Sequence, residues 1–240
     1  MPAALRERAI DSLYDALADL REANGGMHTL NECSGRMDWP ERGVYFFFSP
    51  DTDPEAPACN WRVTRVGTIG LREGSNNTLW TRLRRHRGPI GGQYEGGGNH
   101  RGSVFRKHVG HALLNRYNLD DECDTWGEGY ATPPELRREE QAVEELVSSY
   151  VRDLPFIIVA VPDATGQDSD RGYIESNTIG LLSNYADEAV DRRKDHWLGH
   201  DSHREEIADS GLWNVRHVGE EFDPGVVETL RAYTAETTPP

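Results

Sequence analysis

Residues 78–88 read TLWTRLRRHRG, four arginines and a histidine bunched together in a chain of 240 residues whose formal net charge is −15. At 100° per residue Leu79 and Leu83 fall within about 40° of each other and mark one buried stripe of a helix. Arg82 and His86, one turn apart, lie beside that stripe at the margin of the core, while Arg84, Arg85 and Arg87 face solvent. A guanidinium held at the edge of a core is a natural phosphate clamp, because it binds bidentately and never loses its charge. The bland alternative is a solvated basic helix face. The neighbourhood strengthens the first reading. Between Trp61 and Tyr117 there are 11 basic residues against Glu73 and Glu95 alone, a local charge of +9 that leaves −24 for the remainder. This quarter of an acidic protein is built to meet an anion.

Working outward, GVYFFF (43–48) predicts an aromatic strand and WRVTRVGTIG (61–70) a second one, paired as a hairpin across the turn-rich SPDTDPEAP. GSNN (74–77) offers caps for the arginine helix. A glycine-rich loop (88–103) then leads to a helix near Val104–Arg116. An acidic segment from Asp120 precedes a helix opened by Pro133-Pro134, with Leu136, Val143, Leu146 and Val147 on one face. LPFIIVAVP (154–162) is the third strand, and a helix runs from near Tyr173 through IESNTIGLL. In front of all this, Leu5, Ile10, Leu13, Leu17 and Leu20 predict a helix over residues 3–22, stopped by Asn24–Gly26. In the tail, Ser202 and Glu205 form a capping box, SGLWNVRHV (210–218) reads as a core strand with Trp213 buried, and a last helix follows Asp223-Pro224. The order predicts one α+β domain over 1–240.

Other motifs are weaker. Gly97–Ser103 comes close to a phosphate-binding P-loop but lacks its lysine. The loop is better read as a seat for a second phosphate of the same strand, using His100, Arg101, Arg106 and Lys107. His196, His200 and His203 have metal-like spacing, although the residues between them suit a polar loop better. The acidic stretch Asp120–Glu145 is expected to be solvated and to turn DNA away from that side. Three separated cysteines suggest neither a disulfide frame nor a thiolate zinc site. With no run of 18 apolar residues and no signal-like N-terminus, the expected setting is cytoplasmic, without a membrane span.

GVY (43–45), VGT (66–68), LWTRLRRH (79–86) and YIESNTIGLLSN (173–184) occur in the order that marks the GIY-YIG nucleases, and the chain resembles that family over about residues 41–87 and 154–185. The resemblance implies a small sheet of about three or more strands flanked by helices. Residues 1–25 would be an N-terminal helix, 88–153 a helical insertion and 186–240 a C-terminal extension. It also implies roles: Tyr45 as the tyrosine of the first half-motif, Arg82 as the phosphate-binding arginine, and His86 as its neighbour one turn on. Glu175 would be the carboxylate for Mg²⁺ or Mn²⁺, and Asn184 the asparagine closing the late helix. The second tyrosine is absent; either Arg65 or Thr68 takes its place, and both count as DNA-facing candidates with Arg85. A phosphodiesterase needs an oriented water, charge on the phosphoryl oxygens and help for the leaving oxygen. Tyr45, Arg82 and a Mg²⁺ on Glu175 match those needs, with Arg65 as the cation beside the phenol and His86 sharing the proton. The expected activity is therefore Mg²⁺-dependent DNA cleavage of restriction, defence or repair type; a palindromic target would favour a homodimer. A non-catalytic nucleic-acid-binding module and a protein-interaction subunit are the competing readings.

Overall fold

The molecule was analysed as a computed structural model that describes residues 3–49, 62–119, 123–131, 133–166, 168–186, 189–191 and 195–240. Strand β1 (Gly43–Ser49) is the middle of a three-stranded antiparallel sheet, with β2 (Arg62–Thr68) on one side and β3 (Phe156–Ala160) on the other. Its aromatic run suits that place, since a strand covered on both faces has no polar side to show. Tyr45 and Phe47 project into one apolar cluster, and Val44, Phe46 and Phe48 into the other. Each buried aromatic of this kind contributes about 1.5–3 kcal/mol. Residues 50–61 of the connection, Cys59 among them, lie outside the described residues.

Helices cover both faces. Helix α1 (Ala3–Ala23), α6 (Asp170–Leu182) and α8 (Val226–Thr234) pack on the Val44 side. Helix α2 (Leu79–Arg87), α3 (Val104–Tyr117) and α5 (Gln141–Asp153) pack on the Tyr45 side. Two short helices complete the set, α4 (Pro134–Glu139) and α7 (Glu205–Ser210). The α+β class and the flanked sheet are as the sequence predicts. On α1 the periodic Ile10, Leu13, Leu17 and Leu20 are buried, while Leu5 is exposed.

Several local expectations are corrected. The arginine helix is capped by Thr78 itself, whose hydroxyl accepts from the Thr81 amide at 3.2 Å. Of its outer arginines, Arg84 and Arg85 face solvent but Arg87 is buried, donating to the Cys33 carbonyl at 2.6 Å. The helix after Pro133 is two helices broken at Glu140, and Leu146 is exposed because Glu144 and Ser148 take the inward positions beside Val147. The late helix begins at Asp170, with Ser169 as its cap. Ser202 accepts from the Arg204 amide instead of capping α7 with Glu205. Trp213 is buried as expected, but its segment is not a strand. One main-chain bond, Trp213 N–H to the Thr64 carbonyl at 2.7 Å, touches β2. The Asn214 side chain then takes over, bonding the N–H and C=O of Val66 at 3.1 and 2.9 Å. No helix of the described residues is long and apolar enough to cross a membrane.

Candidate active site

The register decides which residues share a face. Tyr45 lies opposite Gly67 and Phe47 opposite Arg65, so Arg65 points to the same side as Tyr45, two residues before the glycine. Thr68 lies opposite Val44 and points the other way, its hydroxyl donating to the Gly43 carbonyl at 2.7 Å. Of the two candidates for the missing tyrosine, Arg65 thus stands on the tyrosine's face. Gly67 is required by this packing: a Cβ there would overlap the Tyr45 hydroxyl.

Helix α2 crosses this face and brings His86 to the tyrosine. His86 is fully buried, with Nε2 at 2.9 Å from the Tyr45 oxygen and Nδ1 at 2.8 Å from Ser103 Oγ. Burial holds its pKa well below the ordinary value, and the charges of Arg82, Arg65 and Arg106 push the same way, so the ring stays neutral. Ser103 caps α3 by accepting from the Arg106 amide at 3.3 Å, which frees its own proton for His86 Nδ1. With Nδ1 accepting from Ser103 the ring proton sits on Nε2 and is donated to Tyr45; in the other tautomer Nε2 accepts the Tyr45 proton. An imidazole among guanidiniums is badly placed to take a second proton, so the expected proton sharing by His86 runs against this field.

Two arginines close on the same oxygen. Arg82 sits beside the Tyr45 hydroxyl, which raises the arginine's pKa; burial opposes the rise and Glu175 adds to it. Arg65 is buried, which lowers its pKa, with Tyr45 and Glu175 opposing and Arg82 reinforcing the fall. Its guanidinium donates to the Trp213 carbonyl at 2.8 Å and lies 4.8 Å from the centre of the Phe105 ring. The Nε atoms of both arginines are buried without a hydrogen-bond partner.

Glu175 approaches from α6, on the far side of β2. Burial raises its pKa, opposed by the charges of Arg65, His217 and Arg82 and by the Thr68 amide. Arg171, one turn earlier, anchors the helix: it pairs with Asp163 and donates to the Ile69 and Gly70 carbonyls at 3.2 and 3.3 Å. Arg171, Ser103 and Gly67 are positioning residues that sequence reasoning missed, and so is His217, which holds φ 66° and bonds Glu220 at 2.8 Å. A non-glycine residue at positive φ leaves no mark in the sequence.

No group of three potential metal ligands occurs among the described residues. A lone, partly exposed Glu175 does fit Mg²⁺, which keeps most of its waters and takes one or two carboxylates plus phosphate.

The second phosphate seat expected in the glycine-rich loop is corrected, because those groups are already engaged from within. Arg106 is fully buried and pairs with Glu144 at 2.5 Å; His100, also buried, bonds the same carboxylate at 3.0 Å. Arg101 grips Glu140 bidentately at 2.5 and 2.8 Å, and Lys107 donates to the Gly127 carbonyl at 2.8 Å. The acidic stretch expected to be solvated therefore sends Glu140 and Glu144 inward. Burial would raise the Glu144 carboxyl, but His100 and Arg106 outweigh it and hold the pKa low. Asn184 is likewise internal, bonding the Val190 amide and the Asp191 carbonyl at 3.1 and 2.8 Å. Among the expected DNA contacts, Arg85 is exposed and donates to Asn77 at 3.1 Å. Glu144→Ala strands the buried Arg106 charge, a loss of about 3–5 kcal/mol. The expected result is a melting temperature lower by about 10 °C in calorimetry; a drop within about 2 °C would mean the network is dispensable.

His86, Arg82 and Arg65 thus meet at the Tyr45 oxygen, and the Glu175 charge acts on both guanidiniums. A family model described as the GIY-YIG domain matches residues 4–240. No curated protein and no solved structure matches the chain.

Proposed function

The chain belongs to the GIY-YIG domain family, a family of nucleases, and from that premise we propose that it is a Mg²⁺-dependent endonuclease hydrolysing phosphodiester bonds of DNA. The observation that carries the proposal is the convergence on the Tyr45 oxygen of His86, Arg82 and Arg65, with Glu175 close enough to feel both guanidiniums.

The scissile phosphate docks on Arg82, whose fixed charge meets the negative charge that grows on the phosphoryl oxygens. Tyr45, its oxygen hydrogen-bonded to His86, orients the attacking water, whose proton passes to solvent. Arg65 stands where a second phenol would otherwise be and keeps a cation beside that oxygen. GIY-YIG nucleases typically use a divalent metal ion. Glu175 would hold it here, and the bound ion supplies positive charge to the departing ester oxygen. Arg171 and the Thr68 amide fix where Glu175 stands. Water adds to phosphorus, the P–O ester bond breaks, and the released alkoxide takes a proton from solvent.

The direct test is supercoiled plasmid and branched DNA incubated with the full chain, with Mg²⁺ and with chelator. Nicking that requires the metal is the expected outcome. Salt-sensitive DNA binding without any nicking would replace the proposal with the non-catalytic binding module, since the Tyr45–Arg65 pair departs from two phenols.

A further inference from the structure

Behind the glycine-rich loop the arginines are spent on carboxylates, but in front of it they are not. A cleft of about 470 Å³ is lined by Arg84, Arg85, Arg87, Arg137 and the main chain of Gly88 and Gly98, with no carboxylate among its described lining residues. Gly98 is the partition: a Cβ there would overlap the guanidinium of the buried Arg106. None of these four arginines is ion-paired with a described carboxylate, and Glu135, close in sequence to Arg137, goes to Arg138 instead. Arg87 is 7% exposed, yet its Nε has no partner; Arg137 lies 3.7 Å from the centre of the Tyr94 ring with its Nε also unpartnered. Like charges held together without counter-charges are costly to fold, which a ligand of opposite charge relieves.

We propose that this cleft seats the phosphodiester backbone flanking the bond to be cut, with Arg84, Arg85 and Arg137 as its contacts. The proposal rests on the nuclease reading and adds to it a second subsite. Its distance is suitable: Arg84, Arg85 and Arg87 share α2 with Arg82, two to five residues further on, about 3–7.5 Å along the axis. Successive phosphates of one strand advance about 3.4 Å along the duplex axis, so the cleft meets the first or second neighbour of the phosphate on Arg82.

The test compares the full-length wild type with the triple variant R84A/R85A/R137A, the lysine triple R84K/R85K/R137K, and Arg8→Ala as a control on the exposed side of α1. Binding to a labelled duplex and to its single strand is measured by anisotropy over a salt series without metal, and nicking KM with Mg²⁺. The alanine triple should bind at least about tenfold more weakly and flatten the log K against log salt slope by about 2–3. Its KM should rise, the lysine triple should restore the slope, and Arg8→Ala should change nothing. The substrate with the larger loss identifies the backbone form that enters the cleft. If the wild type binds and nicks while the alanine triple keeps its slope and KM, the cleft is not a subsite. If the wild type neither binds nor nicks DNA, the nuclease reading itself falls and the subsite with it.

Discussion

Arg82→Ala is expected to lower single-turnover nicking by about 10³-fold, the effect of removing one charge-stabilising donor, about 3–4 kcal/mol. The number is that large because Arg82 acts where negative charge develops in the transition state, beside Tyr45 and within the field of Glu175. DNA binding should weaken as well, by roughly tenfold, since one phosphate contact is lost. Folding should not suffer: the side chain is half-buried, and its removal eases repulsion with Arg65. A melting temperature near that of the wild type therefore separates lost chemistry from lost structure. Arg82→Lys should recover little, because a point charge does not reproduce the planar fork. Wild-type nicking in the alanine variant would remove Arg82 from the mechanism.

The second large effect belongs to Glu175→Gln, which keeps the shape and deletes the charge. Metal-dependent nicking should fall by at least about 10³-fold, while metal-free DNA binding holds or tightens, because a carboxylate facing phosphate is gone. The same change should stabilise the fold. Burial raises the Glu175 pKa above the value it has when unfolded. The folded state therefore holds more protons across the window from the unfolded pKa to the folded one, and stability falls as pH rises through that window. Above it the full penalty is present, and glutamine abolishes it. Calorimetry at neutral pH should show Glu175→Gln melting no lower than wild type, and the gap should close as pH drops below the ordinary carboxylate range. A neutral glutamine that melts lower, or one that nicks normally, contradicts the assignment.

Much of this arrangement is legible in the chain itself. Alternation through GVYFFF sets the two faces of β1, and the 3.6-residue period of α2 puts Leu79, Leu83 and His86 inward. Those signals are local, and local patterns survive into the fold. What could not be read is set by pairing at a distance. Whether Arg65 or Thr68 stands beside Tyr45 depends on strand register, where a slip of one residue reverses the face. Whether Arg101 and Arg106 meet DNA or Glu140 and Glu144 depends on contacts 38 and 39 positions apart. A glutamate drawn inward by a buried arginine looks in sequence like any other glutamate on an acidic helix. The inward turn of Arg87 is of the same kind, since its acceptor is the carbonyl of Cys33.

The hold of Trp213 and Asn214 on β2 bears on the order in which the candidate site is completed during synthesis. Arg65 is tied by a residue 148 positions later in the chain, and Val66 is braced over the same span. A ribosome has made both half-motifs, the arginine helix and Glu175 well before it reaches these anchors. The nascent polypeptide thus carries Tyr45, Arg65, Arg82 and Glu175 before the residues that brace Arg65 and Val66 are translated.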